Sequence, residues 1–134
     1  MLLIYISTFV FMNTISIKRV YEPEDAADGF RVLIDKLWPR GMAKDKADIA
    51  FWAKFIAPST ELREWFGHKP ENFPIFVQKY TKELEANPET ESFIALCGRQ
   101  LKENNVTLLY GAKDEVHNQA VVLKNFIETK LKTT

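Results

Sequence analysis

The sequence predicts a small α/β domain of three layers, with a short, mainly parallel sheet flanked by helices. Two observations carry this expectation. Residues 30–37 and 106–110 contain consecutive apolar residues, Val32-Leu33-Ile34 and VTLLY, as strands buried on both faces do. Around them lie stretches whose apolar residues recur at three- and four-residue spacing, the mark of amphipathic helices. Strands separated by helices imply parallel pairing through right-handed crossovers.

The first seventeen residues, MLLIYISTFVFMNTISI, carry no charge. A membrane span needs about 20 predominantly apolar residues, and Ser7, Thr8, Asn13, Thr14 and Ser16 interrupt this run. It also lacks the basic start and small-residue cleavage site of a secretory signal. Residues 1–11 are therefore read as upstream sequence with Met12 as the start, the alternative being an apolar extension packed on the domain. Residues 12–134 form one domain.

Ile15 and Ile17 alternate with polar neighbours and Val20 follows, which predicts a first strand. YEPEDAADG, 21–29, is a turn-rich connection, and 30–37 is the second strand, stopped by Pro39 and Gly41. In 45–57, DKADIAFWAKFIA, the spacing of Ile49, Trp52 or Ala53, and Ile56 predicts a helix closed by Pro58. Ser59 caps a short helix through Leu62, Trp65 and Phe66, and Gly67 ends it. Phe73, Phe76, Val77, Tyr80 and Leu84 mark a long helix, with Pro74 tolerated in its first turn. Asn87 and Pro88 open another, striped by Phe93, Leu96, Cys97 and Leu101 and ending near Asn104 and Asn105. After the third strand, 106–110, the loop GAKDEVHN leads to a closing helix marked by Ala120, Leu123, Ile127 and Leu131.

Eighteen Lys and Arg balance eighteen Asp and Glu in the 134 residues, so no net field attracts a polyanion. That counts against nucleic acid and against acidic membranes. The single cysteine, Cys97, excludes an intrachain disulfide and a thiolate-rich metal site, and makes the cytoplasm the default location. Its place in an apolar stripe reads as inert packing.

In open parallel sheets ligands sit outside the carboxyl ends of the strands. The loops at those ends are DKLWPRG and GAKDEVHN.

The segments IKRVYEP, DGFRVLIDKLWPRG, APSTELREWFGH and TLLYGAKDEVHNQAVVL resemble the YeaO-like family, bacterial domains of unknown function. The likeness runs from about Ile15 to Phe126 and implies a small cytoplasmic α/β domain without an established activity. The family pattern falls on Asp35, Trp38, Pro39, Arg40 and Gly41, on Arg63, Trp65, Phe66, Gly67 and His68, and on Tyr110, Asp114, His117 and Asn118. Longer relatives outside this branch carry Cys-His-Arg where this chain has Val116, His117 and Asn118, so the resemblance implies no cysteine-based mechanism here.

Arg40, held between Pro39 and Gly41, either grips a phosphate or carboxylate bidentately or staples the loop through Asp35. His117 and Asn118 open the last helix, where free N–H groups favour anions; either His117 works as a general acid or base partnered by Asp35 or Asp114, or His117, Asn118 or Asp114 simply caps the helix. His68 and Arg63 reach the same pocket if the short helix folds over the sheet edge, and Trp38 and Trp65 flank the loops. No H-x-x-x-H or H-x-H spacing pairs two metal ligands, so neither metal nor cofactor is expected. Two functions compete. One is an enzyme or ligand binder for a small anionic or nucleotide-like molecule, with Arg40, Trp38, Arg63, His68, Tyr110 and Asn118 as binding residues and His117, Asp35 and Asp114 as the acid-base set. The other is a non-catalytic module whose WPRG and WFGH segments recognise a protein or nucleic acid.

Overall fold

The computed structural model describes residues 13–132, and the expectation for residues 1–11 lies outside them. The described strands are β1 (Ile15–Arg19), β2 (Phe30–Leu33), β3 (Phe51–Trp52) and β4 (Val106–Tyr110). The described α-helices are α1 (Lys44–Ala47), α2 (Thr60–Phe66), α3 (Phe73–Ala86), α4 (Thr90–Leu101) and α5 (Gln119–Lys132). The strands form one wholly parallel sheet in the order β1-β4-β2-β3. All five residues of β4 are buried, because it pairs on both edges and is covered on both faces.

Alternation along the strands sorts the core. Ile15, Val32, Val106 and Leu108 face α2 to α5, meeting Phe66, Phe76, Tyr80, Phe93, Cys97, Leu123 and Ile127. Val20, Leu33 and Leu109 face the other way, onto Trp38, Met42, Ile49 and Trp52. The long helices therefore make one outer layer. Loop with the one-turn α1 makes the other.

This second layer corrects the helix expected over 45–57. Asp48 adopts a left-handed conformation (φ 47°) and ends α1, and the chain then runs as β3 and a 3-10 turn, Lys54–Ile56. Phe51 and Trp52 lie opposite Val32 and Leu33 on β2. Ile49 and Trp52 go to one face of the sheet, Ala53 and Ile56 to the other. Pairing with β2 overrides the helical spacing. The second strand is also shorter than expected: Ile34 N–H still donates to Leu109 O (3.0 Å), after which Asp35 leaves the sheet.

At the opposite end of the sheet, buried Asp28 accepts from Lys18 Nζ (2.8 Å) and Arg31 Nη1 (2.5 Å). Arg31 also donates to Ala47 O and Asp48 O, which fastens the second layer to the sheet.

Candidate functional site

Because the described strands all run parallel, the loops after β1, β2 and β4 emerge on one edge and wall a cleft of about 650 Å³, closed on its third side by α2. Asp35, Trp38, Arg40, Arg63, His68 and Asp114 all line it, as do Tyr21, Lys36, Lys113 and Gln119. Six of the nine expected site residues thus come together. Among the described residues, two other cavities of about 340 Å³ lie between α3 and α5 and beside β1, with few charges converging on them.

Asp35 leaves β2 and turns its carboxylate toward β4. Its Oδ2 accepts from Gly111 N–H (2.8 Å) and its Oδ1 from Gln119 Nε2, so one side chain ties together the ends of two strands and the start of α5. Burial pushes this carboxyl above its ordinary range, against the pull of those hydrogen bonds and of the Arg63 and His68 charges.

The loop that follows is stapled without Arg40's side chain. Trp52 Nε1 donates to Asp35 O (2.8 Å), Trp38 Nε1 to Met42 O (2.7 Å) and Tyr21 Oη to Arg40 O (3.0 Å). Trp38 also meets Trp52 edge-on at 5.3 Å, so it is partly loop anchor. Arg40 is exposed and forms no ion pair with any described residue.

Arg63 and His68 reach the cleft from α2. Ser59 Oγ accepts from Leu62 N–H as the helix cap, while its own N–H and O–H donate to Glu83 on α3 at 2.8 and 2.6 Å. At the other end Gly67 (φ 55°) and His68 (φ 58°) are both left-handed. For histidine that conformation costs about 1–2 kcal/mol, and such strain concentrates at functional sites.

The expectations at the last helix divide. Asn118 is fully buried; its Oδ1 accepts from Ala120 N–H (2.9 Å) and Val121 N–H (3.1 Å) and its Nδ2 donates to Asp114 O, so it is the cap. Those helix donors are turned inward onto Asn118. Asp114 Oδ1 accepts from the N–H groups of Val116 and His117, and its Oδ2 lies 2.9 Å from His117 Nδ1. The two backbone hydrogen bonds foremost hold its carboxyl down at about 2. His117 does not line the cleft: its ring packs edge-on against Phe73 of α3 at 5.2 Å. Tyr110 is buried in the core, and Arg40 and His117 share a sheet edge without sharing the cleft.

Cys97 is buried on α4, its thiol pushed up to about 12. No group of three or more His, Cys, Asp or Glu among the described residues could hold a metal. Sequence reasoning missed Lys36 and Lys113, although both sit in the loops it singled out. Gln119 carries no signal, since only the direction of the first turn of α5 brings it to Asp35.

Residues 14–134 match a family described as the inactive DUF488-N3 subclade. The chain belongs to that subclade. It is 37% identical over 115 residues to the uncharacterized protein YeaO of Escherichia coli, covering 86% of this chain and 97% of the relative. An uncharacterized protein of Mycobacterium tuberculosis is likewise 37% identical over 113 residues, covering 84% of this chain and 92% of that one. The YeaO-like resemblance is thereby established over nearly the whole domain. No solved structure matches. Val116, which the resemblance set against a cysteine, is 64% exposed on the Asp114 turn.

Proposed function

We propose that this chain is a binding domain for a small anion, phosphate-bearing and nucleotide-like, seated in the cleft at the carboxyl edge of the sheet, and that it binds without turnover. One observation carries the reading: four Lys and Arg side chains converge on the cleft, and Arg40, Arg63 and Lys113 have no ion-pair partner among the described residues. The two carboxylates there, Asp35 and Asp114, are each already engaged by hydrogen bonds. A guanidinium without a carboxylate partner is suited to a bidentate grip on an oxyanion. The description of the subclade as inactive supports binding over catalysis. Asp114 then serves as a positioning group, with His117 as its hydrogen-bond partner. A cytoplasmic location belongs to the same proposal; none of the described helices is long and apolar enough to cross a membrane.

Calorimetric titration with pyrophosphate tests the reading. Wild type binds, and Arg40→Ala and Arg63→Ala each weaken binding about tenfold or more, the weight of a charge-assisted contact. His117→Ala leaves the affinity within about twofold, since solvent and Phe73 rather than the cleft surround its ring. No binding to wild type, or binding unmoved by both arginine changes, overturns the proposal.

A further inference from the structure

A carboxylate at the floor of a cationic cleft weakens the field an anion feels, so Asp35 needs a reason to be there. Its tie to Gly111 and Gln119 is not sufficient, because an asparagine with the Gln119 amide turned over makes the same two hydrogen bonds without a charge. Among the described residues each Asp35 oxygen takes a single donor, which leaves acceptor capacity on both. No described cation lies within ion-pair distance of it, yet it lines the cleft and the charges of Arg63 and His68 are felt there. The volume, about 650 Å³, is that of a site for a whole small molecule rather than a lone phosphate.

Building on the anion reading, we propose that the cleft takes a phosphorylated polyol, its phosphoryl group on Arg63 and His68 and its hydroxyls donating to Asp35. A hydroxyl fits this acceptor better than an ammonium does. Lys36, Arg40, Arg63 and Lys113 surround the site and repel a second cation, whereas a hydroxyl donates to a carboxylate without adding charge. Asp35 is thus the residue that separates a hydroxylated ester from a plain one.

Titrations with methyl phosphate, ribose 5-phosphate and phosphoethanolamine test the assignment. Wild type binds ribose 5-phosphate about tenfold tighter than methyl phosphate, the weight of one charge-assisted hydrogen bond. Asp35→Asn, which keeps the ties that hold the loops, narrows that gap severalfold; Asp35→Ala abolishes it; and methyl phosphate binds both variants at least as well as it binds wild type. Adenosine 5′-monophosphate names the source: tighter than ribose 5-phosphate, the occupant is a nucleotide, and weaker, a free sugar phosphate, with the polyol assignment standing in both cases. Methyl phosphate binding with no preference for the ribose ester, or a preference that survives both changes, overturns the assignment while sparing the anion reading. A preference for phosphoethanolamine overturns it in favour of an ammonium. Silence from all the phosphates removes the anion reading and this assignment together.

Discussion

Burial raises the Asp35 carboxyl above the ordinary range, so the ionised form is less at home in the folded chain than in the unfolded one. The sign follows from linkage: an acid whose folded pKa is raised loses stability as pH climbs from the unfolded value, near 3.8, through the folded one. Asp35→Asn should therefore melt a few degrees above wild type at neutral pH, and the gain should fade below about pH 4, where both states of the wild type are protonated. Thermal melts from pH 3 to 8 measure this. A lower melting temperature at neutral pH would mean that the charge, and not just the hydrogen bonds to Gly111 and Gln119, holds the loops together. Asp114 runs the other way. Its contribution is present above the ordinary carboxyl range and drains as pH falls toward about 2. Which of two adjacent residues, His117 or Asn118, caps α5 was not legible in the sequence, since both types suit a helix start. The choice rests on Asn118 being buried beneath Asp114 while His117 turns out to Phe73.

The elements that the sequence disclosed are those whose signals are local. Ser59 and Gly67 bracket α2 as expected, and the apolar stripes of α3, α4 and α5 lie where the spacing put them. Residues 45–57 misled because Ile49, Trp52 and Ile56 keep helical spacing while their partners lie elsewhere in the chain, on β2 and the loop after it. Pairing of that kind leaves no periodic trace. The β1–β2 connection makes an element-scale prediction. Gly29 has φ +66°, and a Cβ there would stand 2.2 Å from Asn105 O, the acceptor for Phe30 N–H at the start of β2. Gly29→Ala should destabilise by about 3 kcal/mol or more, from strain and from forcing β2 off the start of β4. Gly41 also has a positive φ (+71°) but open space around it, so Gly41→Ala should cost about 1–2 kcal/mol. Urea unfolding of the two variants measures the difference, and equal losses would contradict the packing described at Gly29.

For the whole molecule the sums conceal what matters. Eighteen positive and eighteen negative side chains cancel, yet the fold gathers four Lys and Arg with His68 around a cleft holding two carboxylates. Composition counts charges and cannot place them; the parallel sheet does, by sending the loops after β1, β2 and β4 to one edge. That is why Asp35, Trp38, Arg40 and Asp114 were legible from strand ends alone, and why Arg63 and His68, which depend on how α2 folds back, were legible only conditionally. The claim that this edge is the binding site is tested most directly by a backbone amide NMR titration with inorganic phosphate. Resonances of residues 35–41, 63–68 and 111–114 should shift together with a single dissociation constant, while those lining the cavity between α3 and α5 stay still. Shifts confined to α3 and α5, or scattered without saturation, would contradict it.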